Sequence, residues 1–179
     1  MAEEQGFDVD RELVQHISSL RRYARALIGD RFEADDLVQE TLTRAITRLR
    51  PWRGVRDLKA YLFTILHNAY IDTHRSRKRQ VDDVPLDKVV NHPACPPNQL
   101  RRLELQELLA CLDRLPDEQR QVVLLVGLEG MTYREVAEIM KIPLGTVMSR
   151  LSRGRQYLKR LTEQNETEVA TALPKYNRT

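Results

Sequence analysis

The chain has 179 residues, 41% of them hydrophobic, and its 29 Lys and Arg against 26 Asp and Glu give a formal net charge of +3. That is enough apolar material for one domain or two small ones with modest cores, and it excludes disorder throughout. No stretch approaches the roughly twenty apolar residues of a membrane span, and the opening MAEEQGFD lacks the basic and apolar parts of a secretory signal, so a cytoplasmic protein is expected.

The small net charge hides a segregation. Arg44 to Arg79 and Arg134 to Arg160 are strongly basic, whereas the first residues and the middle are acidic or neutral. Two separate basic surfaces suit a long anionic ligand.

From just after Asp10, Leu13, Ile17, Leu20, Tyr23, Ala24 and Leu27 recur at helical spacing, and the pattern stops near Gly29. A second helix is expected from Glu33 to about Leu49, with Val38, Leu42, Ala45, Ile46 and Leu49 inward and Leu37 to one side. Asp36, Gln39, Glu40 and Thr43 then face outward. Asp35 and Asp36 also suit a helix start, where carboxylates meet the positive end of the backbone dipole. Spacing alone names no partner for this face.

A third helix is expected from Asp57 to about His74, burying Leu58, Leu62, Ile65, Leu66 and Ala69. Tyr61, Thr64, Asn68, Ile71 and Arg75 share an adjacent face, with Phe63, His67 and Tyr70 elsewhere on the surface. Exposed aromatics can stack on unpaired bases and an asparagine can bond a base edge; they can equally pack against a neighbouring helix. Arg75-Ser-Arg77-Lys78-Arg79 reads as a phosphate-seeking cluster or as a solvated helix end.

Four prolines between Val81 and Leu100 interrupt any helical period and mark a linker between two helical blocks. Neither strand alternation nor a solenoid repeat stands out, so the fold class is all-α. Cys95 and Cys111 do not make a disulfide framework, and His92 with Cys95 lacks the further ligands of a metal site. No glycine-rich phosphate loop, nucleophile elbow or clustered ligand set points to an enzyme, and no cofactor is expected.

Thr132-Tyr-Arg-Glu135 has the pattern of a capping box, opening a helix that runs to about Met140. Lys141 to Gly145 holds a proline and a glycine that break it, and Thr146 is placed to cap the next helix. There Val147, Leu151, Gly154, Leu158 and Leu161 form a narrow packing stripe, while Met148, Ser149, Ser152, Arg153, Gln156, Lys159 and Arg160 project away and Arg150 and Arg155 flank it. A helix, a tight turn and a basic second helix fit the helix-turn-helix, whose second helix enters the major groove. Arg153, Ser149 and Ser152 then suit base contact, and Arg150 and Arg155 suit the backbone; a solvated basic helix pair gives the same pattern.

DDLVQETLTRAI (35–46), LKAYLFTILHNAYIDTHRSRKR (58–79) and LDRLPDEQRQVVLLVGLEGMTYREVAEIMKIPLGTVMSRLSRGRQYLKRL (112–161) together resemble, in order, the polymerase-clamp, promoter-melting and promoter-reading segments of the bacterial ECF (extracytoplasmic function) sigma factors of the sigma-70 family. The resemblance implies two small helical domains joined by a flexible linker. Residues 1–9 would be a disordered N-terminus, 10–80 the sigma region 2 bundle, 81–99 the linker, 100–163 the sigma region 4 helix-turn-helix and 164–179 a flexible tail. It implies core RNA polymerase and promoter DNA as partners, with Asp36, Gln39, Glu40 and Thr43 meeting the polymerase. Tyr61, Phe63 and Asn68 would hold the melted downstream element beside Arg75, Arg77, Lys78 and Arg79. Thr146, Met148, Ser149, Arg150, Ser152 and Arg153 would read the upstream element.

Tyr61 stands where many members have tryptophan, and Met148 where many have a basic residue. LRRYARAL (20–27) and the turn-helix segment look most like the general-stress subgroup, which implies a small anti-sigma protein as a further partner. The competing readings are a helix-turn-helix regulator acting without polymerase and a sigma-like decoy for an anti-sigma protein.

Overall fold

In a computed structural model the backbone is described for residues 2–48, 57–80 and 108–172, and side chains for 11–47, 57–74 and 108–163. The described residues form seven helices: α1 (Ala2–Ile28), α2 (Arg31–Arg48), α3 (Leu58–Gln80), α4 (108–113), α5 (Asp117–Gly127), α6 (Tyr133–Met140) and α7 (Leu144–Ala172). The expected linker 81–99, with His92 and Cys95, lies outside the described residues.

Helices α1 to α3 make the first bundle. Gly29 ends α1 at a φ of 82° that L side chains avoid, and its amide donates to the Arg25 carbonyl at 2.9 Å. Asp30 then caps α2 through the Glu33 amide at 2.9 Å, and Asp57 caps α3 through the Ala60 amide at 3.0 Å. Leu20, Tyr23, Leu27, Val38, Leu62 and Leu66 fill the space between the three helices.

The second unit is built on α4 to α7. The capping box forms as the sequence indicates: Thr132 accepts from the Glu135 amide at 3.3 Å, and the Glu135 carboxylate accepts from the Thr132 amide at 2.6 Å. Lys141 closes α6 in the left-handed region. The stripe Val147, Leu151, Gly154 and Leu161 is buried, with Leu158 packed against the core. Gly154 is a close-approach position, since a Cβ there would come within 2.7 Å of Val123 Cγ2 on α5.

Several expectations are corrected. Helix α1 begins at Ala2, not after Asp10, so residues 2–9 belong to a helix. Leu37 is buried and Ile46 is 53% exposed. Ala34, Leu37, Val38, Thr41 and Ala45 form the inward arc of α2, and at about 100° per residue Ile46 lies roughly 120° from its centre. Phe63, expected on the surface, is 1% exposed and stacks edge-on against Tyr23 with ring centroids 5.3 Å apart. Tyr70 is buried as well, because α3 is covered both by its own bundle and by α6. Thr146 is not a cap: α7 already begins at Leu144, and the Thr146 amide bonds the Pro143 carbonyl at 2.9 Å inside the first turn.

The two units do not merely share a chain; they pack on one another, α3 against α6 and α1 against α5. That docking brings together side chains far apart in sequence.

Candidate nucleic-acid and polymerase surfaces

On α2, Asp36, Gln39, Glu40 and Thr43 are all exposed along one face. Glu40 is held by Arg44 one turn on, at 2.6 Å, and Arg44 also lies 3.8 Å from Asp72 of α3. The Thr43 hydroxyl donates to the Gln39 carbonyl at 2.9 Å. Asp35 differs from its neighbour, because Arg25 of α1 donates to both of its oxygens at 3.1 and 3.2 Å, with Arg21 at 3.8 Å and Arg31 at 3.9 Å. It therefore ties α1 to α2, and Asp36 is left to the outer face.

On α3, Tyr61, Thr64, Asn68 and Ile71 are half-buried along one side, with Tyr61 and Ile71 resting on the core. Phe63 is withdrawn from this group by its burial. The helix backbone continues through Arg75, Arg77, Lys78 and Arg79 to Gln80, while those four side chains lie outside the described ones.

On α7, Met148 is 47% exposed, and Ser152, Arg153 and Arg155 are exposed. Ser149 is half-buried and donates to the Thr146 carbonyl at 3.0 Å. Arg150 leans back onto α5, where it pairs with Glu118. Thr146 and Arg150 thus flank the exposed group, and the solvent-facing surface of α7 reads Met148, Ser152, Arg153, Gln156, Lys159 and Arg160. Its early turns offer hydroxyls, a thioether and a guanidinium in the positions from which a recognition helix meets base edges.

The junction between the units was invisible to sequence reasoning. Tyr70 donates its phenol hydrogen to Asp117 at 2.6 Å, and Gln121 donates to the other oxygen of that carboxylate at 3.0 Å. Burial, then the bond to and charge of Asp117, push the Tyr70 phenol upward, so it stays a neutral donor. Burial pulls the neighbouring His67 imidazole below its ordinary value, against opposing contributions from Gln121 and Asp117. Arg22 of α1 meets Glu129 in the α5–α6 turn across 107 positions of sequence. A lone glutamate in a turn ordinarily faces water, and no local pattern marks this one for burial.

A cleft of about 790 Å³ opens beside the junction between α1, α4 and α5. Leu109, Leu112, Val123 and Leu124 are among its apolar lining, and Arg21, Arg22, Arg25 and Arg31 supply its positive charge.

The chain is 38% identical over 150 residues to the ECF RNA polymerase sigma factor EcfG of Rhodopseudomonas palustris, a match covering 84% of this chain and 82% of that protein. It belongs to the ECF RNA polymerase sigma factors. The ECF sigma factor SigM of Bacillus subtilis is 31% identical over 157 residues, covering 86% of this chain and 94% of its own length.

Within this ECF sigma factor, residues 105–158 match the family model of sigma-70 region 4, and residues 13–67 match that of the sigma2 domain of PhyR. The first bundle is thus region 2-like, and α4 to α7 carry region 4 with its helix-turn-helix. A solved structure of the sigma factor RpoE in complex with the anti-sigma factor NepR from Bartonella quintana is 34% identical. It superposes with a TM-score of 0.77 over 87% of this sigma factor and 97% of that chain. Among the described residues of this sigma factor, no helix is long and apolar enough to cross a membrane, and no group of three or more potential ligands could hold a metal ion.

Proposed function

We propose that this sigma factor meets the core polymerase through the α2 face of Asp36, Gln39, Glu40 and Thr43, and reads the upstream promoter element with α7. The melted downstream element lies along α3 near Tyr61 and Asn68, and Arg75, Arg77, Lys78 and Arg79 contact the adjoining backbone. Met148, Ser149, Ser152 and Arg153 meet base edges; Thr146 and Arg150 sit at the margin, where Arg150 must leave Glu118 to reach a phosphate. Phe63 acts indirectly, by seating α3 on Tyr23. RNA synthesis is the polymerase's chemistry, and the setting is cytoplasmic.

The observation that carries this reading is the coexistence of both surfaces in one chain: a helix-turn-helix with an exposed basic second helix, and an outward acidic and amide face on α2. A regulator without polymerase explains only the first. Opening a duplex forfeits about 1 to 2 kcal/mol of stacking per base-pair step, and captured bases and phosphates can return it without hydrolysis of any cofactor.

Control by a small anti-sigma protein in a stress response follows from the likeness to EcfG and to the RpoE that was crystallised with NepR. The cleft between α1, α4 and α5 suits that partner, since an amphipathic helix with acidic margins would match its leucine lining and its arginines. Run-off transcription with purified core RNA polymerase tests the reading. Promoter-specific transcripts that depend on this chain support it, whereas tight duplex binding with no retention on the polymerase would favour the regulator.

A further inference from the structure

Glu129 sits in the turn between α5 and α6, yet its side chain has 0% exposure. Arg22 of α1 donates to both of its carboxylate oxygens, Nε to Oε1 at 3.0 Å and Nη2 to Oε2 at 2.9 Å. Lys59 of α3 donates from Nζ to the Glu129 carbonyl oxygen at 2.6 Å. Both cations come from the first bundle, and the residue they hold belongs to region 4. A guanidinium fork and an ammonium, here holding the carboxylate and the backbone carbonyl of one residue, are also donors that recognise a phosphodiester.

We propose that Arg22 and Lys59 form a binding site for the phosphate backbone of promoter DNA, and that Glu129 fills this site as an internal phosphate mimic while the two units are docked. Lys59 lies about 160° around α3 from Tyr61, on the side that meets region 4, so a phosphate can reach it only when the two units have separated. The docked arrangement covers one side of α3 with α6 and secures it again through Tyr70 and Asp117. Undocking alone would exchange the ion pair of Arg22 with Glu129 and the bond of Lys59 to the Glu129 carbonyl for contacts with water. A phosphate entering the vacated fork restores the pairing of the cations, and Glu129 in its turn is released to water. DNA capture and separation of the units therefore favour each other, because the nucleic acid binds only the form in which Glu129 has left. The same exchange discourages the free chain from holding DNA.

The inference rests on the proposed role of α3, and the experiment separates the two. Binding of fluorescently labelled promoter DNA by the holoenzyme is followed by anisotropy over a potassium chloride series. Arg22→Ala and Lys59→Ala are each expected to reduce the slope of log affinity against log salt by about 0.7 to 0.9, the value of one lost phosphate contact. A residue that only glues the units together leaves that slope unchanged. In the polymerase-free full-length chain, Glu129→Gln keeps the volume and removes the charge; it is expected to bind the same DNA several-fold more tightly than wild type. That gain should vanish when Arg22→Ala is added. Unchanged slopes in both alanine variants, or no gain from Glu129→Gln, would overturn the site. Preference of the wild-type holoenzyme for promoter over scrambled DNA reports on the α3 and α7 reading in either case.

Discussion

On the proposed reading, upstream specificity rests chiefly on Arg153, which is exposed on α7 and has no ion pair among the described residues, whereas Glu118 draws Arg150 back. Arg153→Ala should weaken binding to the preferred upstream element by about 1 to 3 kcal/mol, with less or no loss on altered elements. Competition anisotropy across a panel of sequences measures this, and an equal loss on every one would make Arg153 a phosphate contact. His67 gives a separate test at the junction. Its folded-state value is lowered by burial, so the unfolded chain takes up the proton first as pH falls. The stabilisation is complete above the unfolded value of about 6.5 and is lost as pH drops below it toward the depressed folded value. Urea denaturation from pH 7.5 to 5 should show stability falling with pH, and His67→Gln should flatten that fall.

Among the elements, α7 shows how a local rule can reverse its sign. Glycine inside a helix costs about 1 kcal/mol relative to alanine, which would make Gly154→Ala stabilising in isolation. Here the added Cβ meets Val123 Cγ2 at 2.7 Å, so the substitution should instead destabilise the region 4 unit by about 1 to 3 kcal/mol. Thermal unfolding measures it, and Val123→Ala in the same chain should recover part of the loss. The α7 stripe that Gly154 belongs to was legible in the sequence because period and packing agree there, as was the capping box, whose two hydrogen bonds span only three residues. The buried stripe of α3 was legible in part: Leu58, Leu62, Ile65, Leu66 and Ala69 followed from spacing, but Phe63 and Tyr70 did not. One-sided burial is the assumption behind a helical stripe, and α3 is covered on two sides. Ile46 failed for the opposite reason, an apolar residue beyond the edge of a narrow arc. On α3 itself, Asn68→Ala should impair recognition or opening of the downstream element while co-elution with core polymerase persists.

At the scale of the whole molecule, the sequence indicated two helical units and a linker but not their docking. Arg22 with Glu129, Lys59 with the Glu129 carbonyl and Tyr70 with Asp117 join positions 107, 70 and 47 residues apart, and pairing over such separations leaves no period to detect. The site shared this limit: the α2 and α7 faces could be read from spacing, while the withdrawal of Arg150 onto Glu118 and of Phe63 onto Tyr23 required tertiary contacts. Two reading units on one chain also impose a length. Changing the distance between the two promoter elements by two or three base pairs should reduce run-off transcription sharply even with both elements intact, because only one unit can then engage productively.

The central claim is that this chain, joined to core polymerase, opens promoter DNA at a defined place. Permanganate footprinting of a promoter fragment measures that directly. The account predicts reactive thymines around the start site only when the chain and core polymerase are both present, and reduced reactivity with Asn68→Ala. A duplex left unreactive by the complete holoenzyme, or thymines exposed equally by polymerase alone, would contradict it.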